Sequence, residues 1–151
     1  MDIPERLARH PFCADMTPAV RERLAACAQE VRFGEGEYLL RQNAPAKTFY
    51  LIEAGQVEIK IAGAATGHAP LETLGAGEAV GWSWCLPPHR WHFDAVARVP
   101  TQVLALDADC LRSAMDADSA VGYAITWGLL EVVAQRLQAT RMQLSDLYGR
   151  P

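Results

Sequence analysis

With 151 residues, half of them hydrophobic and about a fifth charged, the chain has the size and balance of one folded domain and is too apolar for a disordered segment. Eighteen acidic against fourteen basic side chains leave a net charge of -4, a field that repels phosphate backbones and argues against direct DNA binding. The opening Met-Asp-Ile-Pro-Glu-Arg lacks the parts of a signal peptide, and no run reaches the ~20 apolar residues of a membrane span, so the expected location is the cytoplasm, away from any membrane.

Three zones follow one another in a single expected domain, 1–151: N-terminal helices over 1–30, strands over 31–107 and C-terminal helices over 108–149. Ile3 and Leu7 lie four apart ahead of His10-Pro11-Phe12. Val20, Leu24, Cys27 and Ala28 then recur at helical spacing behind Thr17-Pro18, an N-cap followed by proline at the first helical position. From Val31 the period becomes two, clearest where Val57, Ile59 and Ile61 alternate with Glu58 and Lys60. Turn residues interrupt it at Gly34-Glu35-Gly36, Asn43-Ala44-Pro45, Ala54-Gly55, Gly63 to Pro70 and Gly75-Ala76-Gly77, the rhythm of a sandwich or barrel of antiparallel strands.

Past the strand Thr101–Leu106, Asp107 caps a short helix through Met115, and Asp116 to Ser119 opens a long one to Tyr148, with Gly149 as its stop. Its apolar residues, Val121 to Leu147, hold one broad face for about 28 residues, or roughly 42 Å. A domain this small cannot cover such a helix, so a second copy of the chain is the expected partner. Were the helix instead folded back on its own strands, Arg136 and Arg141 would be ordinary solvated charges. The four cysteines, at 13, 27, 85 and 110, form no C-x-x-C pair, and buried free thiols are expected.

Three strings, Gly36-Glu37-Tyr38-Leu39, Phe49 to Val57 and Leu74 to Gly81, together resemble the cyclic-nucleotide-binding domains of bacterial catabolite-activator and oxygen-sensing (Crp/Fnr-like) regulators. The resemblance implies a mainly β fold: an eight-stranded double-stranded β-helix, or jelly-roll β-roll, with N-terminal helices and a long C-terminal helix that covers the pocket and forms a homodimer. In the transcription factors that helix leads into a helix-turn-helix module. The chain given stops at Pro151, so none is expected here, and any output would pass through the dimer helix or a protein partner.

The family's phosphate-binding cassette runs from Gly-Glu to an Arg that pairs with the cyclic phosphate. Here it reads Gly81-Trp82-Ser83-Trp84-Cys85-Leu86-Pro87-Pro88-His89-Arg90-Trp91-His92-Phe93, with Trp82 in the glutamate position and Trp91 at the place of the arginine. Arg90 is the nearest cation. Gly81, Trp82, Ser83, Trp84, Arg90, Trp91 and His92 are therefore the candidate ligand-binding residues, for cAMP, cGMP or another small anionic or aromatic ligand. The alternative is that the indoles fill the roll, leaving a degenerate module that binds no nucleotide and holds partners together.

His89, His92 and Asp94 lack the His-x-His spacing of a cupin metal site, and the cysteines lack the clustering of an iron-sulfur sensor. With no nucleophile elbow, P-loop or dinucleotide fingerprint, the expectation is a chain with no catalytic or metal-binding residues.

Overall fold

The computed structural model describes residues 1–61 and 71–148. Helices α1 (Ile3–Arg9) and α2 (Pro18–Ala25) begin alike, with Asp2 accepting the Glu5 N–H at 2.9 Å and Thr17 Oγ1 accepting the Val20 N–H at 3.3 Å. The strands are β1 (Ala28–Phe33), β2 (Tyr38–Leu40), β3 (Thr48–Ala54), β4 (Gln56–Lys60), β5 (Glu72–Gly75), β6 (Ala79–Val80), β7 (Asp94–Ala97) and β8 (Thr101–Asp107). They form two four-stranded antiparallel sheets, ordered β1-β8-β3-β6 and β2-β7-β4-β5. The expected β-roll with flanking helices is thus the observed fold. The turn expected over Gly63 to Pro70 and the stop at Gly149 lie outside the described residues.

Leu51, Ile52, Val57, Leu74, Val80, Ala95, Ala97, Val103 and Leu104 all belong to one buried core cluster that spans the roll interior and the layer under the helices. The alternation of β4 holds for Val57 and Ile59 but fails at Ile61, which lies past the strand's end and is exposed. In β8 there is no alternation, because Val103, Leu104, Ala105 and Leu106 are all buried. This strand lies between β1 and β3, with roll interior on one face and helices on the other. Gly55 takes φ +110° in the β3–β4 turn, and a Cβ there would collide with Thr101.

Asp107 caps α3 (Ala108–Ala117) through the Cys110 N–H at 2.9 Å, and α4 (Ser119–Tyr148) follows for 30 residues, about 45 Å. No helix among the described residues is long and apolar enough to cross a membrane.

The cysteines correct the sequence reading. Cys27 and Cys110 are joined in a disulfide with Cα atoms 5.6 Å apart, while Cys13 and Cys85 are free. The pair lies 83 residues apart in sequence. It becomes adjacent because Ala28 pairs with Leu106, so the residue before β1 meets the first turn after β8.

Buried His10 fastens the α1–α2 connection to the roll. Its Nε2 is 3.1 Å from the Ile52 carbonyl, and its Nδ1 accepts the Phe12 N–H at 3.2 Å, so the neutral tautomer suits the site. Burial holds the imidazole pKa below its usual 6.5, against the smaller opposing pull of the Ile52 carbonyl and Glu53. Because the unfolded chain takes up this proton first, stability should fall as pH drops below about 6.5, down to the lowered folded value. Urea titrations at pH 7.5 and 5.5 check this: the drop should shrink in His10→Gln.

Candidate functional site

The loop 81–93 leaves β6 at Gly81 and returns at β7, and the two buried indoles, Trp91 and Trp84, set its shape. Gly81 has φ +84°, and the Trp91 ring lies so close over it that a Cβ would run into the indole. Trp91 is 4% exposed and tied by backbone bonds to Asn43 and Ala44 in the β2–β3 connection. Trp84 is fully buried, stacked at a tilt on Phe49 with centroids 5.3 Å apart, and its Nε1 has no hydrogen-bond partner. Ser83, just before Trp84, is buried as well.

Trp82 is only half-buried. Its edge meets Phe93, centroids 6.3 Å apart, and the Arg136 guanidinium of α4 lies 5.0 Å over its face. Arg136 is 13% exposed. It donates to the Ala79 carbonyl on edge strand β6 and lies 3.8 Å from Glu72 of β5. Burial draws its pKa below the usual arginine value, opposed by Glu72 and Glu78. One cation thus joins the cassette tryptophan, the sheet edge and the long helix.

Arg90 and His92 stand apart from this cluster in kind. Both are exposed, and Arg90 Nη1 donates to the Asn43 carbonyl at 2.8 Å. Arg112 of α3 holds the loop from behind, donating to the Trp84 carbonyl and pairing with Asp109. Asp94 Oδ1 accepts the Gln42 N–H at 2.7 Å, and among the described residues no three His, Cys, Asp or Glu side chains are placed to hold a metal.

Beside Arg136 a groove of about 920 Å³ opens between α4, the α1–α2 connection and the β5–β6 edge, with Phe12, Met16, Trp127 and Glu131 among its walls. Phe12 presses on α4 at Gly128, where a Cβ would meet its ring at 2.8 Å.

Sequence reasoning missed Arg136 as part of a site, though a signal was present. Ile125, Leu129, Val132 and Arg136 are spaced four, three and four, so the arginine continues the core-facing stripe of α4.

Residues 30–118 match the family model described as "Cyclic nucleotide-binding domain". The chain belongs to the cyclic nucleotide-binding domain family. A crystal structure from Geobacter metallireducens GS-15, assigned as a cyclic nucleotide-binding protein, superposes with a TM-score of 0.81 at 24% identity, covering 91% of this chain and 99% of that one. A cyclic nucleotide-binding domain from Methylobacillus flagellatus KT gives 0.81 at 19% identity, over 99% of this chain and 83% of that one. Among curated proteins, the cAMP-dependent protein kinase regulatory subunit of Emericella nidulans is 27% identical over 71 residues, 47% of this chain and 16% of the relative's length. These structural likenesses establish the fold.

Arg136→Ala should free the Ala79 carbonyl and uncover Trp82, a loss of about 1–3 kcal/mol for a charged hydrogen bond. Amide exchange along α4 beyond Glu131 and at Ala79–Val80 should quicken by at least about fivefold, read by mass spectrometry, while β8 stays protected.

Proposed function

We propose that this chain is a non-catalytic regulatory domain that senses a small anionic or aromatic ligand at Trp82 and Arg136 and passes the signal through α4. The regulatory subunit among its relatives and the family's binding role support the class. The observation that carries the reading is Arg136 itself, a partly desolvated guanidinium bridging the cassette and the output helix. A phosphate or carboxylate that draws this cation from Ala79 and Glu72 also alters the hold of α4 on the roll, while a flat ring can lie on Trp82. The ligand then biases a two-state helix, since only its differential affinity for the two positions can shift them. Gly81 and Ser83 supply the turn beneath it; Trp84 and Trp91 support that turn from the core. Helices and roll work as one unit.

Cyclic nucleotides are the first ligands to test. Calorimetric titration with cAMP and cGMP should give micromolar binding that disappears in Arg136→Ala and survives in Arg90→Ala. A second reading is favoured by one feature, the closure of Trp82 against Phe93 and of Trp91 against Gly81: a filled roll that holds partners without a ligand. Absence of heat at millimolar nucleotide selects it.

In either case α4 is the proposed dimer helix. Leu130, Leu137 and Leu144 are 57%, 50% and 48% exposed and recur every seven residues, with Val133, Thr140 and Leu147 at the intervening positions of a coiled-coil seam. Sedimentation should find a dimer, and Leu130→Lys with Leu137→Lys should weaken it at least about a hundredfold without unfolding the roll.

A further inference from the structure

We propose that the Cys27–Cys110 pair is a reversible redox site: exchange with a dithiol opens a clasp on α3, exchange with the corresponding disulfide closes it, and the state of the clasp sets how firmly the cassette and α4 are held. The inference adds regulation to the output helix assigned above.

Helix α3 is pinned at both ends. At its first turn, Cys110 is bonded to Cys27, the residue joining α2 to β1. At its far end, Asp118 pairs with Arg23 of α2 at 3.6 Å, a half-exposed pair that solvent weakens. Between the pins, Arg112 reaches the Trp84 carbonyl inside the cassette loop, and the Met115 carbonyl closes on Gly122 of α4. A change at the Cys110 end is therefore transmitted to the loop and to the long helix by contacts already in place.

The chemistry suits exchange at this pair. Cys110, in the first turn of α3, is half-buried at the rim of the core, while Cys27 is buried, so an attacking thiolate would reach the pair at Cys110. The incoming thiolate bonds to the Cys110 sulfur and Cys27 leaves as thiolate. The reagent's second thiol then breaks the mixed disulfide, so that two electrons and two protons pass from the dithiol to Cys27 and Cys110 and the reagent becomes a disulfide. Cys13 stays out of this traffic, since burial pushes its thiol up to about 12; burial also raises Cys85.

The test uses the whole protein without nucleotide, so its failure is separate from failure of the ligand assignment. Samples equilibrated with glutathione disulfide or with dithiothreitol are alkylated natively, mapped by mass spectrometry and followed by amide exchange. Expected are a Cys27–Cys110 linkage in the first sample and alkylation at both Cys27 and Cys110, beyond whatever the free Cys13 and Cys85 take up in either sample, in the second, with exchange over 81–86 and the first turns of α4 at least about fivefold faster after reduction, and with Cys27→Ser/Cys110→Ser fixed in the fast state. Arg112→Ala should remove the redox response of 81–86 alone. Either of two results overturns the proposal: no linkage forms, or the linkage opens with exchange over the loop and α4 unchanged, which makes it a structural staple only.

Discussion

The antiparallel pairing of β1 with β8, from Ala28↔Leu106 to Phe33↔Thr101, brings the two ends of the roll together. One strand begins the roll and the other ends it, so the helices before β1 and after β8 leave at the same edge. That places Cys27 beside Cys110, lets Phe12 reach Gly128, and lays α4 across the β5–β6 edge where Arg136 finds Ala79 and Glu72. A strand at this position is covered on both faces, which is why Val103 to Leu106 carry no polar residue and why the closure is hard to open locally.

In the loop that the resemblance marks as the cassette, two indoles stand at the positions where it calls for charge. Where the resemblance calls for glutamate and arginine, this chain carries Trp82 and Trp91, one ring under a helix arginine and the other packed on Gly81. An acid at 82 would pair with Arg136 by charge; an indole holds it by the face of its π system, an interaction worth about 0.5–2 kcal/mol depending on desolvation. The cation remains, but it comes from α4 instead of from the loop. Under the proposed function, sensing and output would meet in that one side chain.

Helix α4 is apolar nearly all round only as far as Leu130, with Val121, Ile125 and Leu129 on the core and Trp127 over the groove; beyond it polar residues alternate with the outward-facing Leu137 and Leu144. Its first half is held by packing and its second half by little besides Arg136. Such a gradient of local stability makes the second half the part that opens first when that contact is lost.

Much of the architecture is legible in the residues themselves. Thr17-Pro18 and Asp107 mark helix starts because their side chains cap the amides three residues on; Val57 and Ile59 mark a half-buried strand by period; the glycine strings carry the family resemblance. The candidate site was legible in part: the loop from Gly81 and its indoles stand where the sequence places them, but which cation faces Trp82 depends on how α4 lies across the sheet edge, and that follows from packing between elements far apart in the chain. Arg90, next to the loop's end, is turned to Asn43, while Arg136 arrives from 54 residues beyond Trp82. The disulfide has the same origin. Local rules act over a few residues and were enough for caps, periods and turns; the meeting of Cys27 with Cys110 and of Arg136 with Trp82 was decided only when the β1–β8 pairing closed the roll.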